Sequence, residues 1–519
     1  MSRYKMAELK VGFLKNYKGL GFGLLAFFLV LFFIPDSMVP LLPRRMAAVA
    51  ILMAIWWITE ALPIPVTALI PIVFFPLLKI LPAAKVSINY THHLIFLFLG
   101  GFIIALAIER WNLHKRIALK IIYYVGSNQR LIILGFMLAT AFLSMWISNT
   151  ATTMMMIPIG LAVIARLGNN GENANDADSE RNFSLALMLG IAYAASIGGI
   201  STIIGTPPNV VFIGILKSNF PGSPEISFLQ WMIFALPFSV MFLPMAWFYL
   251  VFIAAPVKSA SNPFSSGIIR EELKSLGPMQ RAEKSILVIF VLTGFLWLTR
   301  SSIDLGTIRF TGWSALLGLE SYVQDSTVAV FMAIVTFMIP SGETEKGRPV
   351  FLMNWEWARR VPWGILLLFG GGFALANGFH VSGLTLWLAE QLQALQFLPT
   401  ALIILTVCAL ATFTTEFASN TAMASTLLPV LGGMAVAIEL NPIILMVPAA
   451  ISCSTAFMLP IATPPNAIVF ASGHIRIRDM VKIGLAMNIV GLILILIIVH
   501  LLAVPVFDID WYSMPAWAR

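Results

Sequence analysis

Long apolar segments separated by short polar connections recur along the whole chain. Each is long enough to cross a hydrocarbon core about 30 Å thick, or to form the centre of such a crossing. The pattern predicts an all-α polytopic membrane protein with about eleven transmembrane helices and two hairpin-like segments. The segments are Leu20–Ile34, Met46–Ile58, Leu94–Ile108, Leu131–Ile147, Phe228–Ala255, Ile286–Leu298, Val328–Ile339, Ile365–Phe379, Ala401–Phe413, Ile443–Leu459 and Ile483–Val506.

Composition supports the same class of protein. Of the 519 residues, 59% are hydrophobic and only 11% are charged, with a mean hydropathy of +0.90, far outside the range of soluble domains. The net charge of +8 is carried by connections between apolar segments, so no basic soluble domain is available for nucleic acid. Cys408 and Cys453 both lie in apolar runs and are interpreted as small core residues.

The distribution of lysine and arginine predicts the orientation. Basic residues gather before the first apolar segment and in the connection after Ala255, which places both on the cytoplasmic side of the cell membrane. The tail with Asp508 and Asp510 is then outside. A chain with its N-terminus inside and its C-terminus outside crosses the membrane an odd number of times. Two halves that each have an odd number of crossings are inverted relative to each other. Arg44 and Arg45 are exceptions, because strict alternation places them outside.

Three short motifs occur twice, in the same order. Gly-Gly-Phe begins at Gly100 and again at Gly371, and Ser-Asn-Thr begins at Ser148 and again at Ser419, 271 positions later in both cases. A Thr-Pro-Pro-Asn motif follows each tripeptide, at 206–209 and at 463–466. Coincidental tripeptides are not expected to share one offset, so the chain is a duplicated unit.

The repeats divide the chain into four blocks. Residues 1–127 and 257–395 hold the early apolar segments of each half, the latter after a polar linker, and residues 128–256 and 396–519 hold the motifs. This alternation predicts two bundles, each assembled from both halves. The first copy carries a polar run, Gly168 to Asn182, interpreted as an inserted loop. The charged segment Arg110 to Lys120 is interpreted as a helix along the membrane surface or as an ordinary cytoplasmic connector.

The paired prolines predict interrupted helices. Pro207-Pro208 and Pro464-Pro465 lie inside apolar runs, where proline removes helix donors and clashes with the preceding turn. Unwound backbone at membrane depth is tolerated only where protein or a watery cavity satisfies it. Such a break exposes free carbonyls for a cation and free amides for an anion.

The tripeptides predict oxygen-rich sites. Ser144 lies one turn before Ser148 and Thr415 one turn before Ser419, so hydroxyl oxygens stack towards a common point. Hard oxygen ligands favour a hard cation, and no His/Cys set at zinc spacing accompanies them. The alternative is that these small polar residues only pack helices together. Because the motif is duplicated and each copy is followed by a Pro-Pro break, this is the weaker interpretation.

Acidic residues within the apolar runs have separate interpretations. Glu416, whose counterpart in the first half is Met145, is either a proton-coupling group or a buried carboxylate bonded to hairpin amides, and the structural role is favoured. Glu60, after Trp56-Trp57, and Glu109 are placed at the membrane interface.

The motif-bearing stretches contain no basic residue. Lysine and arginine are absent from 131–163, 191–216, 405–435 and 442–473. A dianion bound there would need cations as well as helix ends for charge compensation, since each helix end supplies at most about half a charge.

These paired Ser-Asn-Thr and Thr-Pro-Pro motifs resemble those of the divalent-anion:sodium symporters, the INDY-type di- and tricarboxylate carriers, over essentially the whole chain. The resemblance implies a homodimeric elevator transporter with a scaffold, a moving transport bundle and Na⁺ as the co-transported ion. It implies a first sodium site at Ser144, Ser148, Asn149 and Gly205, and a second at Thr415, Ala418, Asn420 and Ala462. The substrate residues that it implies are Ser148, Asn149, Thr150, Thr206, Ser419, Asn420, Thr421 and Thr463.

The expected function is sodium-driven uptake of a C4 dicarboxylate such as succinate, malate or fumarate. A citrate or sulfate carrier, or a sodium-independent exchanger, remains the alternative. A membrane-embedded enzyme is disfavoured because no nucleophile is paired with a base. A channel also uses broken helices and is separated from a carrier by saturable counterflow.

Overall fold

The computed structural model describes residues 3–126, 128–168, 174–257, 263–304, 309–392, 397–511 and 513–518. Helices joined by short connections make up most of this part of the chain. The helices of the first half are α1 (Arg3–Phe33), α2 (Leu41–Thr59), α3 (Ile64–Thr67), α4 (Ile70–Leu77), α5 (Ala83–Ile88), α6 (His93–Arg110), α7 (Leu113–Val125), α8 (Gln129–Ser144), α9 (Asn149–Gly168), α10 (Ala174–Ile200), α11 (Pro207–Asn219) and α12 (Phe228–Phe248), which a π-helical turn extends over Tyr249–Ala254.

The second half repeats this succession of long and interrupted helices. Its helices are α13 (Pro263–Ser275), α14 (Arg281–Leu298), α15 (Trp313–Leu316), α16 (Asp325–Met338), α17 (Trp355–Ala358), α18 (Trp363–Ser382), α19 (Leu384–Leu392), α20 (Thr400–Thr415), α21 (Asn420–Ala437), α22 (Pro442–Ser452), α23 (Pro464–Ala471) and α24 (Ile477–Phe507).

Two antiparallel pairs of short strands within the described residues correct the prediction of a purely helical chain. Strands β1 (Ile303–Asp304) and β2 (Arg309–Phe310) pair antiparallel, as do β3 (Pro340–Glu345) and β4 (Arg348–Phe351). Strands β3 and β4 are joined by a turn at Lys346 and Gly347, whose φ angles of 49° and 75° are those of the two-residue turn that matches strand twist. The helical prediction is wrong here because these connections are polar and lie between the apolar segments.

The polar run of the first half is also not a loop throughout. Residues 174–182 form the first turns of α10, while 169–173 lie outside the described residues. An acidic residue such as Asp178 favours the N-terminal turns of a helix through its dipole. The helix therefore continues beyond its apolar part.

The number of membrane crossings can be judged from helix length and composition. In the described ranges, seven helical segments are both long and apolar enough to span a membrane, and seven shorter apolar helices of 10–17 residues accompany them. The protein is thus a multi-pass membrane protein. The prediction of about eleven crossings counts some of these shorter helices as crossings, and it stays a prediction.

The two halves interleave instead of folding side by side. Helix α10 packs against α8 and α9 of its own half and against α23 of the other, and α11 packs against α21 and α22. Helix α12 lies against α24, while α18 contacts α2, α3 and α4. Each half therefore completes the core of the other.

Glycines of the two Gly-Gly-Phe motifs allow close approach of the backbone at two places in the core. A methyl group built on Gly100 would lie 2.5 Å from the backbone of Ala329 in α16, and one on Gly371 would lie 2.5 Å from the carbonyl oxygen of Ala68. Such separations are too short for a side chain, so only glycine lets the backbones approach.

Two buried arginines secure the connections at the helix ends. Arg116 lies in α7, within the charged segment interpreted as a surface helix or a connector, and it pairs with Glu283 of α14 (Nη2–Oε2 3.0 Å). Arg300 pairs with Asp325 (Nε–Oδ1 2.6 Å) and with Glu225 (Nη2–Oε1 2.7 Å). Loss of one partner would leave an uncompensated buried charge.

The glycine contacts generate a stability prediction. Gly371→Ala introduces a methyl group against Ala68 and should destabilise the protein by about 1–3 kcal/mol, as overpacking of a well-filled core does. Gly21→Ala is the matched control, because a methyl group there meets nothing within 4 Å. Thermal unfolding of the detergent-solubilised protein is the measurement, and equal midpoints for the two variants would contradict the close contact.

Candidate functional site: a cavity bounded by hairpins and broken helices

Both Ser-Asn-Thr motifs lie where two packed helices meet. Helix α8 ends at Ser144 and α9 begins at Asn149, and in the second half α20 ends at Thr415 and α21 begins at Asn420. The two helices of each pair pack against each other. Serine suits the residue before a helix because its hydroxyl can accept a free amide, as Ser148 Oγ does from Ala151 N at 3.3 Å.

Both Thr-Pro-Pro motifs interrupt a helical path, as predicted. Helix α10 stops at Ile200 and α11 starts at Pro207, with Thr206 as its N-cap. Helix α22 stops at Ser452 and α23 starts at Pro464, with Thr463 as its N-cap. Proline is suited to the first helical position, where no amide hydrogen is needed.

The asparagine of each motif satisfies carbonyls that the break sets free. Asn209 Nδ2 donates to the carbonyl oxygens of Gly199, Ile200 and Thr202, at 2.7–3.3 Å. In the second half, Asn466 Nδ2 donates to Ala456 O and Leu459 O, each at 3.1 Å. These asparagines hold the unwound segments in place.

Glu416 supports the second break. Its carboxylate, 1% exposed, accepts from the backbone amides of residues 457–459 at 2.9–3.2 Å and from Asn488 Nδ2 at 2.7 Å. The contacts agree with the favoured structural interpretation of a carboxylate bonded to amides, except that the amides belong to the broken helix. At the position of its counterpart, Met145, the carbonyl oxygen accepts from Thr202 Oγ1 at 2.5 Å.

All four interruptions border one open cavity of about 610 Å³. Its walls contain both tripeptides, both Thr-Pro pairs and apolar residues of α6 and α18. The predicted substrate residues all line it, namely Ser148, Asn149, Thr150, Thr206, Ser419, Asn420, Thr421 and Thr463. Residues of both halves, far apart in sequence, therefore share one site.

Four helices have their N-terminal residue in the wall of this cavity. Helices α9, α11, α21 and α23 all begin at residues of its wall: Asn149, Pro207, Asn420 and Pro464. Each N-terminus carries up to about half a positive charge. The described wall contains no lysine or arginine, so helix ends are its source of positive potential.

An oxygen-rich cluster lies beside the first tripeptide. Ser144 Oγ is 2.6 Å from the Asn149 side-chain amide and 2.7 Å from Ala195 O. The same amide lies 3.2 Å from Ala195 O and 3.3 Å from Gly205 O. When its nitrogen faces these three oxygens it donates to them, and when its oxygen faces them the four oxygens form a set suited to a hard cation.

A matching cluster lies beside the second tripeptide. Thr415 Oγ1 is 2.8 Å from Asn420 Oδ1, 3.1 Å from Cys453 O and 3.5 Å from Ala418 O. Thr415, Ala418 and Asn420 are thus brought together as the resemblance implied. No group of three or more His, Cys, Asp or Glu side chains occurs among the described residues, so hydroxyl, amide and carbonyl oxygens are the available ligands.

Two members of these clusters were missed from the sequence. The carbonyls of Ala195 and Cys453 come from the helical ends before each break, and a carbonyl carries no residue-type signal. Both residues lie about three helical turns before a proline pair, and this shared spacing is the signal by which they could have been found. Ser148 and Ala462 lie in the cavity wall, and their part in binding sodium stays a prediction.

The fold is that of a multi-pass membrane protein, and the family and relatives that it matches make it a transporter and not an enzyme. The model of the sodium:sulfate symporter transmembrane region matches residues 20–508. The chain belongs to this family, the divalent-anion:sodium symporters that its motifs resemble.

Curated relatives match along most of their length. The sodium-dependent dicarboxylate transporter SdcS of Staphylococcus saprophyticus is 43% identical over 463 residues, which are 89% of this chain and 86% of the relative. SdcS of Staphylococcus aureus strain MRSA252 is 43% identical over 492 residues, 95% of this chain and 92% of the relative.

Two solved transporters share the fold at low identity. Neisseria gonorrhoeae MtrF, from a class of antimetabolite efflux pumps, aligns with a TM-score of 0.52 and 11% identity, over 80% of this chain and 82% of its own. Alcanivorax borkumensis YdaH aligns with a TM-score of 0.51 and 12% identity, over 80% and 86%. At this identity the likeness concerns the fold alone.

The two asparagines of the tripeptides generate the next prediction. Asn149→Ala and Asn420→Ala should each abolish transport while the protein remains folded, because each amide lies both in the cavity wall and in an oxygen cluster. Loss of one hydrogen bond to a charged group costs about 1.5–3 kcal/mol, or about tenfold to a hundredfold in affinity. Radiolabelled succinate uptake into proteoliposomes is the measurement.

The control for this prediction is Asn377→Ala. Asn377 is an asparagine of α18 whose amide contacts Asn89, away from both clusters. Gel filtration of all three variants checks folding. Normal uptake by Asn149→Ala or Asn420→Ala would remove that motif from the binding site.

Proposed function

We propose that the protein is a secondary active transporter that couples sodium entry to the uptake of C4 dicarboxylates such as succinate, malate and fumarate. The observation that carries the proposal is the convergence of four helix N-termini on a cavity whose described wall has no basic side chain. The helix ends of such a site favour a small anion.

The arrangement suits an anion with two separated charged groups. Each half contributes one tripeptide and one Thr-Pro pair, so each can supply hydroxyls, amides and helix ends to one carboxylate. The two ends of a C4 dicarboxylate then bind to opposite halves of the site. The names of the curated relatives, sodium-dependent dicarboxylate transporters, support this choice of substrate.

Sodium coupling follows from the charge balance. A helix end stabilises an anion by about 0.3–1 kcal/mol, and by about 2 kcal/mol where it is partly buried. Removing each carboxylate from water costs several kcal/mol, so helix ends alone leave much of that cost unbalanced. Cations in the two oxygen clusters, one beside each tripeptide, compensate the rest and make both bindings mutually favourable.

Sulfate transport is the second candidate, because the family is described by sodium:sulfate symporters. Sulfate is one compact group and has no second end to place in the other half of the site. Competition separates the two: succinate and malate displace labelled succinate from a dicarboxylate carrier, and sulfate in equal excess does not. Counterflow of labelled succinate distinguishes a carrier from a channel.

The proposed mechanism is an elevator in a homodimer. Blocks 128–256 and 396–519 form the moving transport bundle, and blocks 1–127 and 257–395 form the scaffold, as two inverted repeats. The N-terminus faces the cytoplasm and the C-terminus lies outside. The cavity supports this mechanism because its motifs belong to one pair of blocks and its apolar wall, with Phe98 and Leu368, to the other.

Sodium dependence is the first test of this function. Succinate affinity should fall at least tenfold when sodium is replaced by choline at constant ionic strength and pH, since uncompensated carboxylates would have to be buried. Linkage requires that succinate tighten sodium binding by the same factor. Isothermal titration of the purified protein measures both.

The opposite result has a definite meaning. Succinate affinity that is unchanged in choline would reject sodium coupling and favour proton coupling through Glu416 or obligate exchange. Competition by other anions, measured in parallel, keeps the choice of substrate separate from the choice of coupling ion.

A disulfide tests the elevator. A methyl group built on Gly101 of α6 would lie 4.0 Å from the Cβ atom of Ile204 at the first break, which suits a disulfide. Oxidised Gly101→Cys/Ile204→Cys protein should bind succinate but not transport it, because the bundle cannot move past the scaffold. Uptake before and after reduction is the measurement.

The two single cysteine variants are the controls for this experiment, and both should transport under oxidising conditions. Cys408 and Cys453 are buried and unpaired, and they remain in every variant. Full turnover by the oxidised double variant would favour local gating over movement of the whole bundle.

A further inference from the structure

Glu60 is a charged residue in an otherwise uncharged cavity wall. It follows the last residue of α2, and its exposed side chain lines the same cavity as both Ser-Asn-Thr motifs. Among the described residues of that wall it is the one that carries a charge. The sequence places it at the membrane interface, and the structure adds that it lines the cavity of the site.

Local stability does not explain a glutamate at this position. Glu60 has φ 50° and ψ 36°, the left-handed conformation that glycine adopts at least cost. It also caps the C-terminus of α2, where the partial negative charge of the helix end is unfavourable for a carboxylate. Two local effects therefore oppose the residue that is present.

The position of this carboxylate is set by packing around it. Glu60 N donates to Trp56 O, and Trp57, 1% exposed, bonds through Nε1 to Ile64 O at 3.2 Å. Pro65 in turn contacts the first turn of α18, since a methyl group built on Gly364 would lie 2.6 Å from Pro65 Cγ. The backbone that carries Glu60 is therefore anchored to α2, α3 and α18.

No described basic group neutralises Glu60. None of the ion pairs within the described ranges includes it, and the cavity wall around it consists of hydroxyl, amide and apolar residues. A fixed negative charge in a cavity between low-dielectric walls raises the local concentration of cations and lowers that of anions.

We infer that Glu60 sets the balance between cation and dianion binding at this site, by weakening the binding of the dicarboxylate and strengthening that of sodium. The inference rests on the proposed function and adds a determinant from outside the duplicated motifs. Its consequence is faster release of the dianion while the cavity is open, because a nearby like charge raises the free energy of the bound anion.

The test is Glu60→Gln, which removes the charge and keeps the size of the side chain. Succinate affinity at saturating sodium should rise about three- to tenfold, as expected for a dianion near one solvent-exposed charge. Monomethyl succinate, with one charge, should gain about the square root of that factor. Sodium affinity, measured without succinate through the shift in thermal unfolding, should fall.

Three controls separate the charge from the structure. Glu60→Asp keeps the charge and should retain wild-type affinities. Glu345→Gln removes an exposed carboxylate at the end of β3, away from the cavity, and should change neither the succinate affinity nor the sodium affinity. Added choline chloride should shrink every effect of Glu60→Gln, because salt screens exposed charges.

The outcomes decide between the possibilities. Unchanged affinities in Glu60→Gln, or changes of the same sign for sodium and succinate, would overturn the inference. The sodium measurement does not require a dicarboxylate, so it tests Glu60 independently. Failure of the wild-type protein to bind succinate would instead refute the proposed substrate, while a fall in sodium affinity in Glu60→Gln would still support the role of the charge.

Discussion

The cavity depends on unwound backbone that the protein must satisfy within a membrane. Each break in a helix leaves amides and carbonyls that lipid cannot bond. Asn209 and Asn466 bond the freed carbonyls, and Glu416 bonds three freed amides of the second break. Once these groups are held, the axes of α11 and α23, and with them the positive ends of their dipoles, are fixed in direction. The geometry of the site follows from this support.

A site built from helix ends and neutral side chains differs from one built on arginine. A permanent cation would hold a dianion whether or not sodium were present, and release would then require breaking a strong ion pair. Each helix end contributes a smaller stabilisation, so in the proposed mechanism the total stabilisation of the dianion depends on sodium ions that bind and dissociate. The absence of lysine and arginine from the described wall is therefore a condition for coupling in the proposed mechanism.

The sequence predicted those features that repeat or that interrupt a pattern. The tripeptides, the proline breaks and the membrane class are visible because Ser148 and Ser419 share an offset with the glycine motifs, and because proline constrains backbone wherever it occurs. The carbonyls of Ala195 and Cys453, and the position of Glu60 in the cavity, could not be predicted. They depend on which helices pack together, and neither a carbonyl nor a single exposed carboxylate carries a periodic signal.

The two halves of the site are similar but not equivalent, because different hydrogen bonds support their broken helices. The tip of the second helical hairpin is joined to its broken helix by a carboxylate that accepts from three amides of the break, whereas the first is joined through Met145 O and Thr202. Three amide donors in the second half against one hydroxyl donor in the first give the second half the firmer support. Thr463 also accepts from Asn466 N at 3.3 Å, whereas Thr206 makes no such cap. A duplicated unit thus provides two oxygen clusters around one cavity, and the unequal support of the two halves makes them physically different where sequence symmetry alone would make them equal.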